Sequence, residues 1–313
     1  MGATQGRAIV DKLLTNVSNQ LIPEGYISEM ILPELKVVQT TGLIGKYSND
    51  HLRIIDTRVG GKGEYPMVDT VVRSSDAYKL QDHALKEILV EDDFDNVEKP
   101  FDAEQDSVVA LTTHLWLEKE KGLADALADT AVITNNVTLA GGDQWSAYAT
   151  SDPLGDLVAA RAGVRSGCGK KPNIAFMDED VADVLRFHPQ LLDSLGFKES
   201  RPGGLDDKEL AKALKVPFVH VSEAVFNNSV QPAADSIEPV WGKHFWYAHA
   251  PKSAARRQVS LGYRLQKAGQ KPRQVFKTFP DEPVNSRKII TKDKYQQLFT
   301  NTGAAYLVED AIA

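Results

Sequence analysis

The chain has 313 residues, and Cys168 is its only cysteine. A disulfide framework and a zinc site built on cysteines are therefore excluded. Long apolar runs are also missing: no stretch approaches the roughly 18 residues of a membrane span, and no apolar segment opens the chain. The sequence predicts a soluble intracellular product that has no membrane partner.

Positive charge is in short supply as well. The chain has 36 Lys and Arg residues against 43 Asp and Glu residues, which gives a formal net charge of -7. Tight binding of duplex nucleic acid needs clustered basic side chains that displace counterions from phosphates. This charge balance argues against a protein that binds nucleic acid tightly, but it does not exclude a shell that encloses nucleic acid and binds it only weakly.

Two segments carry residues of catalytic or metal-binding type, and neither has the required pattern. Gly167–Lys171 resembles a phosphate loop, but Val164 stands where the first glycine is needed, and the segment precedes a predicted strand when it should follow one. His244 and His249 are five residues apart in a predicted strand, which places them on opposite faces. A shared metal ion is therefore excluded unless that strand breaks.

The remaining polar candidates read as structural. We interpret His114 and His188 as structural residues, because the sequence does not pair them with other groups in a metal-binding or catalytic pattern. Cys168 lacks a nucleophile motif. Glu and Lys alternate along residues 118–121, which is typical of a solvated helix face. We predict no catalytic, cofactor or metal site, and hence a protein that is not an enzyme.

Residues 51–73 read as two polar strands joined by a glycine turn. The arms His51–Val59 and Glu64–Arg73 flank Gly60–Gly63, whose glycines tolerate the positive φ of a hairpin loop. Charges fall on both faces of each arm, so neither face can enter a core. Because a lone two-stranded hairpin is marginal in water, we predict that it lies on another copy of the chain. A surface hairpin of a monomer remains the alternative.

A long helix is predicted after this hairpin. Asp102 is a plausible N-cap and Gln105 takes the capping-box position, so the helix runs over about 102–128 and spans about 40 Å. Its predicted apolar face comprises Val108, Val109, Leu111, Thr112, Leu115, Trp116, Leu123 and Leu127.

The second half of the chain alternates helix and strand signals. Asp152-Pro153 begins a helix that should end near Gly163 or Gly167, and Asp178 caps another helix after a buried strand at 173–177. Later strands are predicted at 216–222, 240–250 and 258–266, the last of them half-buried, with its polar side chains outward. Residues 1–24 read as a polar arm that packs on something else.

Several segments, in order along most of the chain, resemble the major capsid proteins of tailed bacteriophages. They are Asp11–Ser18, Tyr26–Val37, Asp56–Val59, Leu139–Ser146 and Val240–His244. Each is a loose pattern alone, and together they are fairly specific.

The resemblance implies an α+β fold of the Hong Kong 97 (HK97) type. It places an N-terminal arm at 1–45, an extended E-loop at 46–80, and a P-domain with the spine helix at 81–134. An A-domain follows at 135–269, and a C-terminal segment at 270–313 returns to the P-domain. In some family members a lysine forms a crosslink to an asparagine, which would here join Lys62 to Asn285 or Asn301.

The function implied is structural: self-assembly into hexamers and pentamers of an icosahedral phage head around double-stranded DNA. Portal, scaffolding and possibly decoration proteins are the implied partners, and the implied location is the virion after assembly in the host bacterial cytoplasm. DNA would be contacted non-specifically, with Lys12 and Arg256-Arg257 as candidate contacts. The alternatives are an encapsulin-like nanocompartment shell and, less favoured, an oligomeric α/β enzyme.

Overall fold

A computed structural model describes residues 9–46, 52–59, 65, 74–90, 102–197, 203–229, 234–254, 258–278 and 286–313. The α-helices are α1 Lys12–Gln20, α2 Ser28–Ile31, α3 Ala103–Ala128, α4 Pro153–Cys168, α5 Glu179–Phe187, α6 Pro189–Ser194 and α7 Asp207–Leu214. The strands are β1 Ile9–Val10, β2 Glu34–Val37, β3 Thr41–Lys46, β4 Ser74–Lys79, β5 Gln81–Val90, β6 Asn136–Thr138, β7 Ile174–Asp178, β8 Phe218–Ser222, β9 Val225–Asn227, β10 Ile237–Pro239, β11 Phe245–Ala248, β12 Gly262–Lys267, β13 Gln274–Lys277, β14 Ser286–Phe299 and β15 Ala305–Glu309.

The first sheet is built around the long strand β14. Strand β5 pairs with one edge of β14, while β12 and β13 lie end to end along the other edge. The N-terminal arm supplies the outer margin, because β1 pairs with β13 and β2 pairs in parallel with β12. Strands from distant parts of the sequence therefore form this sheet together.

The predicted spine helix is present as α3 and packs across one face of that sheet. The Asp102 side chain accepts hydrogen bonds from the backbone N–H groups of Glu104 and Gln105, as an N-cap should. Along its first half, Val108 and Leu111 share an apolar cluster with side chains of α1, β5, β13 and β14. The prediction that Val109 faces this core is wrong, since its side chain is 38% exposed.

The described part of the N-terminal arm packs on its own subunit. The hydroxyl groups of Ser18 and Thr112 are 2.8 Å apart, and the Trp116 indole N–H donates to the Leu21 carbonyl at 3.1 Å. These contacts run along the spine helix, so the arm stabilises the helix from outside the sheet.

The second sheet has the strand order β6-β15-β11-β7-β8 and carries the main core. Every residue of β7 is buried, as predicted for the strand near 173–177. Phe176 stacks on Trp246 with ring centroids 5.2 Å apart. The Trp246 indole N–H donates to the carbonyl of Leu127 at 3.0 Å, so the end of the spine helix joins this second core.

Of the two predicted ends of α4, the one near Gly167 is confirmed: the helix continues past Gly163 to Cys168, and Gly169 follows with a left-handed φ of 71°. The two earlier glycines permit close packing instead. A Cβ at Gly163 would lie 2.5 Å from the Tyr306 ring, and a Cβ at Gly167 would lie 2.2 Å from the Gly303 carbonyl oxygen.

The strand predicted at 258–266 begins later, at Gly262, and its polar side chains are not solvated. Ser260, Arg264 and Gln266 are all buried, and the Arg264 guanidinium pairs with the Glu29 carboxylate of the arm. The strand predicted at 240–250 shortens to Phe245–Ala248, since Gly242 turns the chain with a φ of 63° just before it.

Candidate assembly hairpin and buried ionic junction

A two-stranded ladder projects from the first sheet at the predicted E-loop. Strands β3 and β4 pair in antiparallel register from Thr41 opposite Lys79 to Lys46 opposite Ser74. Tyr78 and Leu80 anchor the ladder by packing with Tyr263 and Leu265 of β12. The chain between residues 46 and 74 therefore leaves and returns at the end of this ladder.

Within that excursion, the predicted strand over 51–59 is wrong at 52–59, where the chain forms a short turn followed by irregular backbone. The Arg58 backbone N–H donates to the Asp56 carboxylate at 3.0 Å, a local bond that competes with strand pairing. The segment is exposed throughout, and Ile54 is 100% exposed. The glycine turn and most of the second arm, including Lys62, lie outside the described residues.

The segment 118–121 was predicted to be a solvated helix face, and for its two central residues that prediction is wrong. Lys119 is 2% exposed and Glu120 is fully buried. Periodicity contained the signal that was missed, because positions 119 and 120 follow Trp116 by three and four residues and so share its face.

Glu120 binds three donors from two other parts of the chain. Its carboxylate accepts from the backbone N–H groups of Ile27 at 2.8 Å and Ser28 at 3.0 Å, and from the Trp241 indole N–H at 2.8 Å. The first two bonds satisfy N–H groups at the start of α2, which has no side-chain cap of its own. Glu120 therefore joins the spine helix to the arm and to the second core.

Lys119 completes a largely buried cluster that we call the clasp, formed by Glu29, Lys119, Arg264 and Arg273, in which the Glu29 side chain is the most exposed at 32%. The Lys119 ammonium lies 2.5 Å from the Glu29 carboxylate, Arg264 pairs with the same carboxylate, and the Arg273 guanidinium lies 3.7 Å from it. Burial would raise the pKa of Glu29, but the neighbouring cations outweigh burial and hold it below its ordinary value. Glu29 therefore stays ionised and links arm, spine helix and sheet.

Arg273 reaches the clasp through a break in the sheet. It lies between β12 and β13, where extra residues bulge out of the strand, and it adopts a left-handed φ of 46°. That backbone conformation is uncommon for residues other than glycine. The guanidinium lies 4.5 Å from the centre of the Trp116 ring, and the Arg273 backbone N–H donates to the Asp293 carboxylate at 3.4 Å.

The histidines predicted on opposite faces of a strand occupy opposite ends of β11 instead. His244 Nδ1 accepts from the backbone N–H of Asp310 at 3.1 Å, and His249 Nδ1 lies 2.8 Å from the Lys171 carbonyl oxygen. In the part of the chain that the structure describes, no group of three His, Cys, Asp or Glu side chains could hold a metal ion.

The other residues predicted to be structural have ordinary surroundings. His188 is buried and caps α6 by accepting from the Gln190 backbone N–H at 3.3 Å, whereas His114 is exposed. The Cys168 thiol is buried and donates to the Lys170 carbonyl, and burial raises its pKa. None of these residues lies at the clasp.

Only some of the residues that the family resemblance implied as crosslink or DNA-contact candidates lie in the part of the chain that the structure describes. Asn301 caps a short 3-10 helix by accepting from the Gly303 backbone N–H, and Asn285 lies outside the described residues. Lys12 is exposed on α1, and Arg256-Arg257 also lies outside the described residues. Among the helices that the structure describes, none has the length and apolar character needed to cross a membrane.

Comparison with known proteins finds similarity to capsid proteins along most of the chain, although no family model matches it. It is 25% identical over 281 residues to the major capsid protein of Burkholderia phage BcepMu, covering 86% of this chain and 87% of that protein. The crystal structure of a phage-related protein from Bordetella bronchiseptica RB50 matches with a TM-score of 0.73 at 22% identity, covering 97% of this chain and 98% of the other.

Two further structures share the fold at lower identity. The capsid of the cyanophage P-SCSP1u matches with a TM-score of 0.59 at 8% identity, covering 99% of this chain and 92% of the other. An encapsulin complex from Synechococcus elongatus PCC 7942 matches with a TM-score of 0.55 at 11% identity, again covering 99% and 92%. The chain therefore has the α+β HK97-like capsid fold, and its resemblance to the major capsid proteins of tailed phages is confirmed.

Proposed function

We propose that this chain is the structural subunit of a phage head, assembled as hexamers and pentamers of an icosahedral shell around double-stranded DNA. The observation that carries the proposal is its similarity to a phage major capsid protein over 86% of its length. The alternative, an encapsulin-like compartment, has support from fold alone, since the encapsulin match is only 11% identical.

The division into domains follows the same proposal. We assign an N-terminal arm to 1–45, the E-loop to 46–80, the P-domain to 81–134, the A-domain to 135–269 and the C-terminal segment to 270–313. The spine helix lies inside the proposed P-domain and most of the second sheet lies inside the proposed A-domain, which supports these assignments, whereas strand β3 of the ladder begins at Thr41, before the proposed E-loop. The C-terminal segment supplies β14 to the first sheet and β15 to the second.

Self-assembly gives the exposed parts of the E-loop a physical role. Its ladder has only two strands, and a two-stranded hairpin gains little stability in water. Leu43 on the ladder is 70% exposed, and Ile54 beyond it is 100% exposed. Contact with a neighbouring subunit would bury these side chains and satisfy free backbone groups at the strand edges.

The finer parts of the proposal concern partners and location. We propose a role in the virion, with assembly in the host bacterial cytoplasm alongside portal, scaffolding and decoration proteins. The net charge of -7 suits an inner wall that mostly repels packaged DNA, so contacts with the genome are non-specific and weaken as salt is raised.

Purified native shells test the proposal directly. Static light scattering and electron microscopy should show large closed particles, and the particles should contain DNA and a portal. Particles filled with a protein cargo would instead establish the encapsulin-like alternative. A stable monomer or dimer under all near-physiological conditions, with or without a scaffold, would refute assembly and return the oligomeric enzyme to consideration.

Deleting residues 58–65 tests the role of the E-loop. The described residues of this stretch contribute nothing to the buried core, so circular dichroism should show a folded subunit while microscopy shows that stable shells are lost. Shells with unchanged heat resistance would contradict the role assigned to the loop.

A further inference from the structure

The register of strand β2 along β12 is weakly specified by the strand itself. Strand β2 has four residues, of which Glu34 and Lys36 are exposed while Leu35 and Val37 are half-buried. Alternation of this kind excludes a slip of one residue, because every side chain would change face. A slip of two residues keeps the alternation and places Val37 where Leu35 packs, so the strand alone discriminates poorly against it.

The clasp supplies the missing discrimination. Glu29 lies five residues before β2, and its carboxylate pairs with Arg264 on the partner strand β12 and with Lys119 on the spine helix. A two-residue slip would move Glu29 by about 6–7 Å along the sheet. Both cations would then be left in the interior without this carboxylate, which is strongly unfavourable.

A third cation, from a break in the sheet, also contacts Glu29 at its present position. The strand that pairs with β14 breaks between β12 and β13, and the left-handed Arg273 there brings a third cation within 3.7 Å of Glu29. Arg264 and Arg273 are 8% and 7% exposed, so both charges are largely removed from solvent. Fixing a register is the best-attested use of buried ionic groups.

The register of β2 also sets the position of the E-loop. Only residues 38–40 separate β2 from β3, the first strand of the E-loop ladder. We infer that the clasp is a register lock, in which Glu29 is a positioning residue that fixes where the E-loop leaves the subunit. This inference rests on the proposed function for its biological meaning, although the register itself is a property of the single subunit.

The register can be measured on unassembled subunits by double electron–electron resonance between two spin labels. Val38 is 81% exposed directly after β2, and Val158 is 55% exposed on helix α4, so V38C and V158C give accessible labelling sites. The buried Cys168 is replaced by alanine to leave two thiols. The background protein should give a single distance.

In this background, E29Q should add a second distance population displaced by up to about 6–7 Å, the length of two residues in a strand. The matched control is E34Q, which removes a carboxylate of similar exposure from the same segment, where it lies 3.8 Å from the exposed Lys36 and outside the clasp. E34Q should keep the single distance. A single unchanged distance in folded E29Q would overturn the inference.

If circular dichroism shows that E29Q does not fold, R264Q takes its place, because Lys119 then still neutralises Glu29. A single unchanged distance in R264Q would overturn the part of the inference that assigns the register to the pairing of Glu29 with Arg264 on strand β12. Failure of the wild-type protein to form shells would refute the proposed function and would leave the distance measurement unaffected.

Discussion

Replacing Glu120 with alanine should be among the most destabilising single changes in the spine helix. The substitution leaves the backbone N–H groups of Ile27 and Ser28 and the indole N–H of Trp241 without their acceptor in a fully buried site. Each orphaned donor costs about 1–3 kcal/mol, so the loss of three acceptor contacts should lower the free energy of unfolding by roughly 3–9 kcal/mol. Urea denaturation followed by tryptophan fluorescence measures this loss.

A graded series makes this prediction sharper. Glu120→Gln keeps one carbonyl oxygen but turns an amide N–H₂ group toward one of the donors, so it should cost about 2 kcal/mol. The control is Glu118→Ala on the same helix, where a side chain that is 57% exposed bonds to His83 and contributes less than about 1 kcal/mol. If Glu120→Ala proves no more destabilising than Glu118→Ala, the junction does not stabilise the fold as argued.

Two further predictions concern packing and pH. Gly167→Ala should lower the free energy of unfolding in urea by about 1–3 kcal/mol, because its Cβ would lie 2.2 Å from the Gly303 carbonyl oxygen. The control, Gly122→Ala, places its Cβ where nothing lies within 4 Å, so it should stabilise the spine helix by about 0.5–1 kcal/mol. Equal effects of the two substitutions would contradict the packing argument. Burial raises the pKa of Asp178 to about 7, so the folded state retains a proton that the unfolded chain loses, and stability should fall as pH rises from about 4 to 7. The Asp178→Asn side chain can still cap α5. The substitution should therefore raise the free energy of unfolding by up to about 4 kcal/mol at pH 8 and have little effect at pH 4. A gain of the same size at both pH values would show that ionisation of the carboxyl group is not the cause.

Local signals along the chain predicted several elements correctly. Asp102 and Asp178 are caps that act within a few residues, so their helices were readable from the sequence. The apolar run near 173–177 predicted a strand buried on both faces for the same reason. Recognition of the capsid fold used the order of several loose motifs, and the shared fold confirms it.

The wrong predictions concern side chains whose burial depends on contacts with segments far away in the sequence. Glu120 looked solvated because alternating charges usually face water, but three donors from remote segments enclose it. Arg264 sits on a strand whose alternation predicted an exposed polar face, but its side chain is buried and pairs with Glu29 of the arm. For Glu120 the local periodicity with Trp116 indicated a buried position, but only the remote donors explain why a carboxylate is tolerated there.

Caps, periodicity and composition act over short distances along the chain, so the spine helix, the capped helices of the second half, a few buried strands, the charge balance and the family resemblance could be read from the sequence. The identity of the buried charges, and the segments that they join, depend on the tertiary structure. The clasp gathers Glu29, Lys119, Arg264 and Arg273 from four separate segments, and folding alone brings them within reach of one another. A buried ionic cluster depends on that convergence, since each charge is tolerated in the interior only when its partners arrive from elsewhere in the chain.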